Sequence, residues 1–225
     1  MVDGAWNAER FGTDVTSMLE SAFSNMLDAA TLARAVSDCA ATAEVICCDR
    51  PMACTAGCPH CCVLNVAILL PEGMIIADWL REQLPPSILD ILRERLADHY
   101  RRVRWMDDDE RIAKQVVCPL LDAAEQCSIY SVRPLVCRAV ASFNLTSCRE
   151  AFNPVITNEE REVSADLLRQ AVFDEVFISL ARAIRHHGLD DRSIELGSGV
   201  LAFLELPEYR DRLLSGERLP DELWQ

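Results

Sequence analysis

The stretch CTAGCPHCC, Cys54 to Cys62, puts four thiols within nine residues. A second group follows at Cys118, Cys127, Cys137 and Cys148, separated by eight, nine and ten intervening residues. Thiols this dense serve a bound metal, an inorganic cluster, a disulfide framework or a redox pair. Which of these applies depends on size and compartment. At 225 residues the chain is long enough to bury a core without disulfide staples. Its start, MVDGAWNAER, shows neither a basic n-region nor an apolar h-region, so the sequence reads as cytoplasmic with reduced thiols. Reduced, clustered thiols favour metal ligation.

Charge and hydropathy narrow the classes further. The longest apolar candidate, 61–80, is broken by Asn65, Pro71, Glu72 and Asp78, so no membrane span is expected. A net charge of −14 argues against nonspecific binding to nucleic acid or to anionic membranes.

Along the chain, 12–46 reads as one long N-terminal helix. Val15, Leu19, Ala22, Phe23, Met26, Leu27, Ala30, Ala33 and Val36 recur at helical spacing, and Thr13 or Asp14 is a plausible cap. Cys39 falls on this helix as a small apolar residue. Cys47 and Cys48 sit at its end, with no role fixed. Residues 49–62 read as irregular. The run VLNVAILL suits a buried strand or a helix start, and Pro71 and Glu72 suit the first helical turn after it. Pro85 and Pro86 stop that helix. Ser87 with Asp90 resembles a capping box for the next one, whose face is Leu89, Leu92, Leu96, Tyr100 and Val103.

Most of 118–150 lacks helical period. Thr157 and Glu160 suggest another capping box, opening a helix that ends at Gly188, and shorter helices are expected near 193–204 and 207–214. The expected architecture is therefore one mainly α domain over 1–225. Long helices (12–46 and those in 157–225) would enclose an irregular cysteine-rich core, 54–148.

Within that core, Cys54, Cys58, Cys61, Cys62, Cys118, Cys127, Cys137 and Cys148 are the candidate metal ligands. A short knuckle plus distant thiols is the usual way to close a fold over zinc or an iron–sulfur centre. From Cys127 to Cys148 there is no acidic residue, while Arg133, Arg138 and Arg149 fall within or beside that segment. Arg133 and Arg138 are the expected donors to sulfur, offsetting the charge of the thiolates. His60, inside the knuckle, suits an exposed residue or a donor to the site better than a ligand. His186 and His187 suit the C-terminal end of a helix. Because neighbouring side chains diverge, Cys61 and Cys62 are expected to serve different metal atoms, giving more than one metal per chain.

The residues CTAGCPHCC, CPLL and CSIYSVRPLVCR resemble the CxxCxxCC or YkgJ-like cysteine-cluster family, regarded as zinc- or iron-chelating. Matching positions are Cys54, Cys58, Cys61, Cys62, Cys118, Cys127, Ile129, Tyr130, Arg133, Pro134, Cys137 and Arg138, with Cys148 matching a further cysteine of some members. The resemblance implies a metal site, zinc or iron, and leaves open whether the protein is an enzyme and which protein partner it has. Related clusters in flagellin lysine-N-methylases imply one alternative, methyl transfer from S-adenosylmethionine, although no Gly-rich nucleotide loop follows a strand here. Cys58-Pro59-His60-Cys61 offers another, thiol–disulfide exchange, which ordinarily needs a thioredoxin-like βαβ framework that the sequence lacks.

Overall fold

In the computed structural model, residues 6–24, 27–154 and 162–224 are described. The fold is mainly α, as the sequence implies. Two helices replace the single one expected over 12–46: α1 (Ala8–Phe23) and α2 (Ala29–Cys47). The side chain of Asn7 caps α1, accepting from the Arg10 amide at 2.8 Å. Thr13 lies inside the helix and donates to the Glu9 carbonyl. Asp28 opens α2 by accepting from the Thr31 amide at 2.7 Å. The apolar period runs through the break because both helices bury their faces against the same partner, α8 (Leu167–His186).

After the thiol-rich stretch, β1 (Ala67–Leu69) leads directly into α3 (Leu70–Gln83), with Pro71 in its first turn. Next come α4 (Pro86–Val103) and α5 (Asp108–Ala113), the latter capped by Asp107. The capping box expected at Ser87 and Asp90 is not formed. Pro85 occupies the cap and Pro86 the first helical position, and Asp90 pairs instead with Arg93 at 2.8 Å. Two short helices lie in the segment expected to be irregular, α6 (Leu135–Ala139) and α7 (Leu145–Ala151). The capping box at Thr157 and Glu160 lies outside the described residues; α8 is capped by Asp166, which accepts from the Arg169 amide at 3.1 Å.

A second strand, β2 (Ser193–Glu195), pairs antiparallel with β1 in the register Ala67↔Glu195, Ile68↔Ile194 and Leu69↔Ser193. The sequence gives helix at these residues; the strand is too short for alternation to show. Two helices follow, α9 (Leu196–Glu205) and α10 (Glu208–Leu214). α9 packs on α3 and α4, while α8 packs on α1, α2 and α6. A Cβ on Gly199 would stand 2.7 Å from Ile194 Cγ2, so glycine is required where α9 meets the sheet. The β1–β2 pairing thus fixes the exit of the first cysteine segment against the C-terminal helices. Among the described residues no helix is long and apolar enough to cross a membrane.

Candidate metal centre

The knuckle begins where Ala53 donates to the Ser142 carbonyl at 2.8 Å. The Ser142 amide in turn faces Cys54 Sγ at 3.4 Å. A turn follows, closed by Cys58 N–H to the Thr55 carbonyl at 3.1 Å, with Gly57 at φ +82°. Only glycine adopts that conformation without strain. Residues His60–Val63 then form one 3₁₀ turn carrying Cys61 and Cys62. The second segment is tied to the first by backbone, since Cys118 N–H donates to the Cys62 carbonyl at 2.7 Å. Cys127 returns beside it through the Leu121↔Cys127 bridge. α6 supplies Cys137, and α7 supplies the buried Cys148.

Electrostatic reach divides the thiols into two sets. Cys58 is influenced by Cys61, Cys54 and Cys148. Cys137 is influenced by Cys61 and Cys127, and Cys118 by Cys137 and Cys127. Cys61 acts on members of both sets, on Cys58 in one and on Cys127 and Cys137 in the other, and Cys62 beside it raises its own pKa. The two neighbours, expected to diverge, share one 3₁₀ turn. All eleven cysteines are free thiols, and the only strands among the described residues are one antiparallel pair, so no βαβ unit supports the redox alternative.

Burial pushes the thiols of Cys118 and Cys137 up to about 12. Cys62 beside it, followed by burial, raises Cys61 as well. Backbone N–H groups oppose the effect of burial in a repeated pattern. The amide two residues on acts on the sulfur at Cys58 (from His60), at Cys118 (from Leu120) and at Cys127 (from Ile129). Such N–H groups favour the thiolate, the form that binds metal. Arg133 acts in the same sense on Cys137, Cys127 and Cys61.

Arg138 is placed differently from the expectation. Its Nε donates to the Arg133 carbonyl at 2.7 Å and its Nη2 to the Ser131 carbonyl at 3.2 Å, so it braces the loop that carries Arg133. Its charge still reaches Cys127. His60 is half-buried, and its contribution is the backbone N–H acting on Cys58. Cys39 is fully buried among apolar residues, Cys47 is buried and Cys48 is exposed. His187 contacts Glu20 at 3.1 Å.

Among the described residues, no three His, Cys, Asp or Glu side chains are already gathered round a metal-sized centre. The fit therefore rests on donor chemistry: sulfur alone, amide N–H groups turned to sulfur, and an arginine beside the second set. Those donors suit zinc or iron and not a hard cation.

Three residues on the surrounding walls escaped the sequence reading. His99, Arg111 and Glu195 are charged or polar groups that the fold buries or half-buries. His99 left a signal, since it occupies a core position on α4 between Leu96 and Val103. The others left none.

A helical scaffold presenting two thiol segments at one 3₁₀ turn defines a cysteine-cluster protein. Residues 53–163 match the CxxCxxCC family model, described as a "Putative zinc- or iron-chelating domain". Over that segment the chain belongs to this family. No curated protein and no solved structure matches the chain.

Proposed function

We propose that the chain is a metal-binding protein that holds more than one zinc or iron atom through cysteine thiolates. The ligands are Cys54, Cys58 and Cys148 in one set and Cys118, Cys127 and Cys137 in the other, with Cys61 and Cys62 at the seam. The observation that carries this reading is that Cys61 acts electrostatically on thiols of both sets and shares one 3₁₀ turn with Cys62. A single four-ligand ion leaves several of the eight thiols without a role. Two adjoining ions, or one iron–sulfur cluster, use them. The bound metal supplies folding energy to the cysteine segments and a thiophilic Lewis acid at their junction. Arg133 offsets the charge of the thiolates, and Arg138 holds Arg133 in place.

Anaerobic purification, elemental analysis and an absorption spectrum test the proposal. Iron with acid-labile sulfide means a cluster; colourless protein with zinc means ions. The expected content is at least about two metal atoms per chain, reduced in Cys61→Ser and in Cys62→Ser. One atom per chain, unchanged by Cys62→Ser, would sink the multinuclear reading.

A further inference from the structure

The fold holds the two sets of thiols unequally. Cys118, Cys127 and Cys137 pack against the helical core, and their segment contributes Leu120, Ile129, Leu135 and Ala139 to it. Cys54, Cys58 and Cys148 do not belong to that core. Cys118, Cys127 and Cys137 also line a cavity of about 190 Å³, with Val116, Leu120 and Leu196 around them and His99, Arg111 and Glu195 on its wall. Cys54 does not line this cavity, and it is the one exposed thiol of the eight ligands. Thr55, Ala56 and Gly57, which follow it, are exposed as well.

Few bonds restrain Cys54. Its sulfur is approached by the Ser142 N–H at 3.4 Å, and Ala53 before it donates to the Ser142 carbonyl at 2.8 Å. The turn after it is closed by the Cys58 N–H to the Thr55 carbonyl at 3.1 Å. Exposed turns without apolar contacts open at low free energy. Charge is offset unequally too. Arg133 acts on Cys127, Cys137 and Cys61, whereas the leading influences on Cys58 are burial, the His60 amide and other thiols. Ligands whose charge is balanced by a neighbouring group hold their ion more firmly.

Exchange of a bound ion requires an open side. Zinc accepts a fifth ligand in passing, so an incoming donor displaces the ligand that stands where solvent reaches. Among the proposed ligands that position belongs to Cys54. Ions held by sulfur favour a soft incoming donor, which is another thiol.

We propose that the metal held by Cys54, Cys58 and Cys148 is exchangeable and is handed to a thiol-bearing acceptor by release of Cys54, while the metal held by Cys118, Cys127 and Cys137 stays. In the exchange the acceptor's sulfur bonds to the metal, the bond to Cys54 Sγ breaks, and the proton of the acceptor thiol passes to Cys54. No electron is transferred. The proposal deepens the metal-binding reading and rests on it.

The test uses the full chain loaded anaerobically with zinc, with glutathione as acceptor and a chromogenic chelator reporting the zinc released. Two phases of similar amplitude are expected, the first about tenfold or more faster than the second. Glutathione is expected to quicken the first phase, and S-methylglutathione to leave it unchanged. Cys54→Ser is expected to lose the glutathione-sensitive phase and keep the slow one, and Cys137→Ser to do the reverse. A second measurement needs no variant: brief alkylation of the loaded protein, read by mass spectrometry, is expected to label Cys54 ahead of Cys118, Cys127 and Cys137 and to free about one zinc ion per chain. A parent protein that holds fewer than about two zinc ions overturns the two-set metal reading and this proposal with it. Two ions leaving in a single phase overturn this proposal alone. So does a fast phase that ignores glutathione or survives in Cys54→Ser, or first labelling at Cys118, Cys127 or Cys137.

Discussion

Glu72 sits in the first turn of α3 with 3% of its surface exposed, and each of its oxygens accepts a backbone N–H. Leu69 donates to Oε2 and Leu135 to Oε1, both at 2.9 Å. The first bond closes the start of α3, and the second anchors the start of α6, which carries Cys137. Burial pushes this carboxyl up to about 7, against the pull of the two amides. A carboxyl raised from its unfolded value of 4.5 stabilises the fold fully below that pH and loses the contribution as pH rises through about 7. In Glu72→Gln an NH₂ group faces one of the two donors, a loss of about 1–3 kcal/mol. The gap in melting temperature between parent and variant should be wider at pH 5 than at pH 8; an unchanged gap would show that Glu72 does not titrate in this window. At Cys118 and Cys137 the logic concerns protons and metal. With both thiols near 12, each carries its proton at neutral pH. Zinc bound there must displace those protons, so affinity should fall as pH falls. Zinc titration with a pH indicator at pH 7 should release more than one proton per ion, and zero release would remove these two as ligands.

At the scale of elements, the cysteine segments hang on neighbouring helices through a few polar links. Arg50 pairs with the cap of α8, Asp166, at 2.6 Å, and Asp166 N–H donates to the Ala141 carbonyl. Asp166 is 1% exposed and also caps the Arg169 amide. Asp166→Ala removes a cap and strands Arg50, and should cost about 1–3 kcal/mol, read as a lower urea midpoint. Asp166→Asn keeps the cap without the charge and should fall between the two; equal midpoints for all three proteins would show that the link contributes nothing. These links explain which parts of the structure the sequence could disclose. The face of α4 was legible because Leu89, Leu92, Leu96 and Val103 repeat over several turns. α6 and α7, at five and seven residues, are too short to display a period. The break before Asp28 was hidden because α1 and α2 bury the same stripe against α8. The thiols were legible from residue type and spacing alone. His99, Arg111 and Glu195 come from α4, α5 and β2, and only the fold brings them onto one wall.

At the scale of the whole molecule, the long helices and the cysteine segments depend on different sources of stability. α1, α2, α3, α4, α8 and α9 share a continuous apolar core, with Leu19, Leu32, Leu80, Leu96, Leu180 and Val200 fully buried. Cys118, Cys127 and Cys137 only pack against its margin. Between Cys54 and Cys62 the described structure is two tight turns, and Cys118–Cys148 adds two isolated bridges, Leu121↔Cys127 and Ser142↔Ala165, and short helices. Leu120, Ile129, Leu135 and Ala139 tie the second segment to the core, but no residue of 54–62 joins it, and stretches with so few apolar contacts open at low free energy unless something closes them. If metal closes them, chelation should leave far-ultraviolet circular dichroism nearly intact while near-ultraviolet signals weaken. Hydrogen exchange offers the sharper measurement, on a sample first shown to hold metal. The amides of Ala53, Cys118 and Ser128 bond to the Ser142, Cys62 and Leu120 carbonyls and should lose protection on chelation. The amides of Leu80 and Leu180, inside long helices, should keep theirs. Equal protection at all five positions before and after chelation would mean that the helical core alone orders the cysteine segments, and that metal is cargo with no part in holding them.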